Sequence, residues 1–267
     1  LASELNGPDE EPVPLRILGE DLVAFRDTDG RLGVLDAHCP HRLASLSYGR
    51  NEECGLRCIY HGWKFDVDGN CVDIPSEPAA SQKIRDKIKI TSYPALERGG
   101  AVWIYMGPSE NIPPFPEFEW ARFPSDQSAA IKRFQPCNYA QALEGGIDSA
   151  HISFLHRDFP AADQSNTGPN NVHGKFASGC RNPEFSVNET DYGLQIIAKR
   201  ALEDIDDVYY RVTQFMVPCF QMIPPILVEG RLKTNPTTGN VWVPIDDYNT
   251  WNWGFTSDAE ALTEQQK

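Results

Sequence analysis

No stretch of this chain is apolar for long enough to cross a bilayer as a helix. The longest candidate, Phe220 to Val228, is broken by Pro224 and Pro225 and falls well short of the roughly 18 residues needed. Basic charge is also scarce: 24 Lys and Arg stand against 38 Asp and Glu, a net charge of −14. Nucleic acids and anionic membrane surfaces require clustered cations, so neither is expected as the main partner. Leu1 to Glu11 carries no basic segment followed by an apolar one and does not read as a signal peptide. The seven cysteines are odd in number and irregular in spacing, which suits reduced thiols better than a disulfide framework. Internal repeats and low-complexity tracts are absent. A cytoplasmic protein is the expectation.

What is present is enough apolar material for a sizeable core, 40% of 267 residues, and a length that suits one large domain or two modest ones. The first hundred residues read as short strands. Asp21 to Arg26 and Leu32 to Asp36 flank the turn Asp27-Thr28-Asp29-Gly30. Leu56 to Cys58, Trp63 to Val67, Cys71 to Ile74 and Ala101 to Tyr105 follow, with Asp68-Gly69-Asn70 as a second tight turn. Gly107 to Pro124 holds five prolines and reads as a linker. Beyond it, Asn138 to His156 is the best helix candidate, with Asn138 and Gln141 as a capping box and Asp158-Phe159-Pro160 as a stop. After the loop Ala161 to Gly174, strands return at Glu184 to Asn188, Gly193 to Lys199, Val208 to Val217, Asn240 to Val243 and Thr250 to Phe255. The organisation predicted is residues 1–107 as a β-rich domain, 108–125 as the linker and 126–267 as an α+β domain.

Four of the six histidines fall in two short motifs. In the first, Cys39-Pro40-His41 is followed, after a gap of 16 residues, by Cys58-Ile59-Tyr60-His61. Each half offers one thiolate and one imidazole just after a predicted strand. Zinc fingers usually keep cysteines together and histidines together. Mixed loops that face each other can instead give both cysteines to one iron and both histidines to another, the Rieske [2Fe–2S] arrangement. A zinc site is the competing interpretation. In the second motif, Asp148 and His151 are three apart and share a helix face, while His156 lies five beyond His151, about 140° out of phase on an ideal helix. A helix end or turn before His156 would let both imidazoles meet one metal, as in the facial triad of non-haem Fe(II) oxygenases. Alone, this motif is weak, since histidines near a helix end are often polar surface. A one-electron donor upstream in the same chain needs an acceptor, which favours iron.

Both constellations, in this order, resemble the α subunit of Rieske non-haem iron aromatic-ring oxygenases, and most closely the phthalate dioxygenase-like group. The likeness is dense over Arg50 to Asn70, Ala142 to His151, and Val243 to Asp247 with Trp251. It extends from about Leu15 to Phe255 and thins between Asp163 and Arg181. The resemblance implies an α+β fold, with an N-terminal Rieske-type β domain followed by a helix-grip-like catalytic domain built on a large antiparallel sheet. It implies a [2Fe–2S] cluster on Cys39, His41, Cys58 and His61, and a mononuclear Fe(II) on His151 and His156. It assigns Asp148 to the carboxylate that joins His151 to the Rieske histidine, His61, of a neighbouring subunit. A flavin- or ferredoxin-type reductase as electron donor, O₂ and an aromatic substrate, and a homotrimer or dimer of trimers are implied with these.

Rieske proteins of respiratory complexes brace the cluster with a disulfide and place a serine after the second His-Gly. The matching positions here are Ala44, Tyr60 and Trp63, so no such bridge is possible. Fewer donors to cluster sulfur predict a potential toward the low end of the range, roughly −150 mV or a little above. The family's third iron ligand, a late aspartate, has no match in Asp246, Asp247 or Asp258. It is expected beyond Lys267, with the chain incomplete there and at its N-terminus. Three functions stay open: an oxygenase component acting by dioxygenation or by monooxygenation such as O-demethylation, a Rieske electron carrier, and an inactive ligand-binding relative. An aromatic carboxylate is the expected substrate, with Arg211 as its anchor. Along Val208 to Phe215, Tyr209, Arg211, Thr213 and Phe215 share a face. The alternative is a surface pairing of Arg211 with Glu203, Asp204, Asp206 or Asp207.

Overall fold

The computed structural model describes residues 1–5, 7–77, 82–155, 180–201, 208–224, 226–228, 231–233 and 237–263. They form two compact units, Leu1–Arg122 and Phe123–Lys267. In the first, β1 (Val13–Ile17), β2 (Glu20–Arg26) and β3 (Leu32–Asp36) make an antiparallel three-stranded sheet. A four-stranded meander follows: β4 (Arg50–Glu52), β5 (Gly55–Arg57), β6 (Lys64–Phe65) and β7 (Cys71–Asp73). A short helix, α1 (Gln82–Arg85), and the hairpin β8 (Ala95–Arg98) with β9 (Ala101–Ile104) complete it.

Two hairpins of this unit share one device. Asp27 accepts from the backbone N–H groups of Asp29 (3.1 Å) and Arg31 (2.8 Å), and Gly30 takes φ 79°. Asp66 accepts from Asp68 (3.0 Å) and Asn70 (2.8 Å), and Gly69 takes φ 78°. A carboxylate that satisfies the turn amides and a glycine in the left-handed region fix each reversal. Val23, Phe25, Leu35, Leu46, Leu56 and Phe65 then pack into one buried cluster with Cys39 and Cys58. The two cysteines of the mixed motif are thus anchored in core rather than displayed on a surface loop.

The second unit is built on a seven-stranded sheet in the order β10-β18-β17-β14-β13-β12-β11, every neighbouring pair antiparallel. Its strands are β10 (Ser128–Gln135), β11 (Glu184–Thr190), β12 (Gly193–Ala201), β13 (Val208–Met216), β14 (Phe220–Met222), β17 (Thr237–Pro244) and β18 (Thr250–Ser257). A separate small hairpin joins β15 (Ile226–Val228) and β16 (Arg231–Lys233). Helix α2 (Tyr139–Ile147) lies on the sheet where Gly146 approaches Trp242 and Gln221, and Gln221 donates to the Gly146 carbonyl.

The long helix expected over Asn138 to His156 is divided. It ends at Ile147, and α3 (Ile152–Leu155) starts after a turn. Asn138 caps α2 by accepting from Ala140 N (2.9 Å), but Gln141 bonds Glu144 instead of closing a capping box. Asp148 makes the break. Its backbone N–H closes α2 onto Glu144, and its side chain accepts from Ala150 N and His151 N, each at 2.9 Å. An aspartate that can serve its own next amides favours a cap over a helix interior. The sheet itself matches the antiparallel fold expected. The short strands β4, β8 and β14, together with β1 and β10, were not anticipated from the sequence.

Candidate metal centres

The two Cys-His loops are built alike. In the first, Cys39 N donates to Ala44 O (2.9 Å) and Leu43 N to Cys39 O (2.9 Å). In the second, Cys58 N donates to Trp63 O (2.8 Å) and Gly62 N to Cys58 O (3.0 Å). Each cysteine therefore bonds four and five residues on, and each loop turns through a left-handed residue at its fifth position, Leu43 (φ 56°) and Gly62 (φ 76°). Only glycine adopts this region without strain. At position 62 a side chain would also strike Pro75, with Cβ 2.6 Å from Cγ.

This matched closure brings the four side chains together in pairs. Cys39 and Cys58 are both buried. Burial pushes the Cys39 thiol up to about 11, and the neighbouring Cys58 adds to the rise. The His41 and His61 rings lie 4.6 Å apart, edge to face. Burial and the proximity of His61 lower the His41 pKa, favouring the neutral imidazole that metals bind. Among the described residues, no three His, Cys, Asp or Glu side chains converge on a site for a single ion. A two-iron cluster takes ligands in twos, one thiol pair and one imidazole pair, so the donor set fits a Rieske cluster.

Three neighbours pack against these loops, and one of them, Arg57, was not singled out from the sequence. Trp63 stacks flat on His41, with centroids 4.5 Å apart and an interplanar angle of 1°, and its buried Nε1 has no hydrogen-bond partner. Tyr60 leans on His61 at 3.9 Å. Arg57, just before Cys58, donates to the Gly62 carbonyl at 2.8 Å. From the sequence, Tyr60 and Trp63 stood out only as departures from the respiratory Rieske pattern; the stack, the tilt and the Arg57 bond depend on contacts that spacing alone does not reveal.

In the second unit, Asp148 Oδ2 lies 3.0 Å from His151 Nδ1. A carboxylate on Nδ1 fixes the imidazole's tautomer and makes Nε2 the nitrogen that would serve a metal. Burial alone would raise the Asp148 pKa, but hydrogen bonds from Ala150 N, His151 N and the His151 ring hold it below the usual range. His156 lies outside the described residues. Behind the turn stands Arg200, 0% exposed, whose Nη2 donates to Ser149 O (2.6 Å) and Ser149 Oγ (3.1 Å). It is paired across β12 and β13 with Tyr209, and Arg211 sits one step along the same face. Burial lowers the pKa of both arginines. Arg211 is half-buried on the side of buried Thr213, whereas Val208 and Tyr210 point outward. The acids offered as its surface partners, residues 203–207, lie outside the described residues. Asp246 and Asp258 accept from turn amides of their own segments.

The Rieske [2Fe-2S] domain family matches residues 1–94, and the LigXa C-terminal domain-like family matches residues 104–266. The chain is 46% identical over 253 residues to the phthalate 4,5-dioxygenase oxygenase subunit of Pseudomonas putida, covering 94% of this chain and 56% of that one. It is 36% identical over 265 residues to the 5,5'-dehydrodivanillate O-demethylase oxygenase subunit of a Sphingobium species, covering 94% and 56%. It thus spans little more than half the length of these relatives. Dicamba monooxygenase bound to 3,6-dichlorosalicylic acid shares the fold with a TM-score of 0.74 at 22% identity, over 96% of this chain and 75% of that one.

Proposed function

Since the chain belongs to the α subunits of the Rieske non-haem iron aromatic-ring oxygenases, in the phthalate dioxygenase-like group, we propose that the whole protein is the oxygenase component of such a system. It takes electrons from a flavin- or ferredoxin-type reductase in the cytoplasm and dioxygenates an aromatic carboxylate. Residues 1–107 form the cluster domain, 108–125 the connection and 126–267 the beginning of the catalytic domain. The single observation that carries this is the pair of identically closed loops, which sets two buried thiols beside two imidazoles in one unit. The Asp148–His151 pair, 3.0 Å apart, occupies the other.

When bound, the cluster and the Fe(II) supply one-electron transfer and O₂ activation. Cys39 and Cys58 would hold one cluster iron, His41 and His61 the other. His151 and His156 would hold the mononuclear iron, with an aspartate beyond Lys267 as third ligand. Asp148 keeps a proton on His151 Nδ1 and orients the ring. In a head-to-tail homotrimer, alone or doubled, its exposed edge accepts from His61 of the partner subunit. Arg211 grips the substrate acid through two hydrogen bonds, on a face whose positive potential Arg200 reinforces.

The test uses the full-length protein with reductase, NAD(P)H, ¹⁸O₂ and a panel of aromatic acids and their ethers. Two labelled atoms in one diol product are expected. An unlabelled phenol, with the alkyl group released as an aldehyde that takes the one labelled atom, would select the O-demethylation alternative, and two irons per chain with no product would select the electron carrier. Arg211→Leu should weaken binding of an acid substrate by roughly 2 kcal/mol, read as a raised KM with kcat little changed. An unchanged KM would remove Arg211 from the site.

A further inference from the structure

The two cluster loops are built alike but held differently. The first is secured by backbone on both flanks: Asp36 N donates to Thr91 O (2.9 Å), Ala37 N to Asp21 O (3.0 Å) and Leu46 N to Ala37 O (2.7 Å). A bridge between His38 and Ser45 closes its base. The second loop leaves the three-residue β5 and returns into the two-residue β6, joined at only two paired positions, Leu56 with Phe65 and Arg57 with Lys64, while β6 slips register against β7 on its other side. So short a ladder gives it little backbone support, and no disulfide ties the two loops, all cysteines being free.

Arg57 occupies the gap. It is the last residue of β5, its side chain only 10% exposed. Nη1 donates to Gly62 O (2.8 Å) inside the loop and to Asp73 Oδ2 (2.7 Å) on β7. Nε donates to Glu52 Oε1 (2.5 Å) on β4, and Nη2 lies 3.7 Å from Glu53 Oε2. Lys64 closes the ring from the far side of the loop, bonding Glu53 O (3.2 Å) and Oε2 (3.0 Å). A planar fork can bind in several fixed directions at once, which an ammonium cannot. Removing it takes the Arg57 donor from the Gly62 carbonyl and the Asp73 carboxylate and leaves Glu52 with Arg50.

We propose that Arg57 is the brace of the second cluster loop, a positioning residue that holds Cys58 and His61 in place where a disulfide does so in other Rieske proteins. The proposal rests on the assignment of a cluster to these loops. The brace acts on the loop rather than on the stability of the domain as a whole, because the buried core of Phe25, Leu35, Leu56 and Phe65 does not depend on it.

The test compares the full-length holoprotein with Arg57→Gln and Arg57→Lys. Iron and acid-labile sulfide are measured as isolated, visible absorbance is followed in the presence of a chelator, the reduced centre is examined by EPR, and thermal unfolding is followed by far-UV circular dichroism. Arg57→Gln should assemble the cluster but bleach at least tenfold faster at a temperature where dichroism is unchanged, with a broadened EPR signal. Arg57→Lys, which keeps the charge and loses the fork, should bleach at an intermediate rate. It also decides the matter if the glutamine variant is insoluble. Bleaching at the wild-type rate in Arg57→Lys, or bleaching that merely tracks unfolding, would overturn the brace. A wild-type protein devoid of iron and sulfide would overturn the cluster assignment as well, whereas a wild-type cluster with unaffected variants would overturn the brace alone.

Discussion

Leu43 and Gly62 occupy equivalent places in the two loops, yet only one is glycine. Leu43 holds φ 56° and is 72% exposed, so it makes few contacts to offset the strain, of the order of 1 kcal/mol for a left-handed non-glycine residue. Leu43→Gly should therefore leave stability unchanged within a few tenths of a kcal/mol or raise it, since relief of strain opposes the added freedom of the unfolded chain. Gly62→Ala should lose about 1 kcal/mol or more, because strain adds to the collision with Pro75. Urea denaturation of both variants checks the opposed outcomes, and equal losses would show that the loops are not equivalent. The four cluster residues were legible in the sequence because chemistry restricts which residue types can serve. Leu43 and Arg57 were not, and Trp63 only as the residue in place of a serine, because their roles come from a backbone angle, a clamp and a stack that exist only once the loops meet.

The same limit shows in the elements. Strands β2, β3, β12 and β13 were legible because they are long enough for alternation and turn signals to mark them. The strands β4, β8 and β14, three or four residues long, carry too few residues for any period, and β10 is defined by its pairing with β18. The divided helix is more instructive. Asn138 to His156 has the right composition for one helix, and only the competition of the Asp148 side chain for its own downstream amides breaks it. The break places Asp148 against His151 across a turn rather than along a helix face. Within α2 the adjacent glycines behave oppositely. A Cβ on Gly145 meets nothing within 4 Å, whereas on Gly146 it would lie 2.9 Å from Trp242 Cζ2. Gly145→Ala should stabilise by about 0.5–1 kcal/mol through helix propensity. Gly146→Ala should destabilise by about 1–3 kcal/mol, because the buried indole cannot yield. Thermal melts of the two variants test whether α2 is seated on the sheet as described.

At the scale of the molecule, the proposed function puts the electron donor in one unit and the acceptor in the other, and the proposed assembly makes each useful only to a neighbour. Asp148 is suited to such a junction. Oδ2 is engaged by His151, Oδ1 accepts from Ala150 N, and the side chain is still 41% exposed. An ionised carboxylate has about four acceptor sites, so capacity is left for a donor from another subunit. A mixing experiment separates transfer between chains from transfer within one. Full-length Cys58→Ala lacks a cluster and full-length His151→Ala lacks a complete iron site, so each alone should be inactive. Dissociated, mixed in equal amounts and reassembled, they form cyclic trimers in which an intact cluster faces an intact iron site at about a quarter of the interfaces, the random expectation for a closed head-to-tail ring. About a quarter of wild-type turnover should return. Turnover that stays at zero, with mixed trimers verified by mass spectrometry, would mean that electrons pass within one chain and that Asp148 has no partner across a subunit boundary.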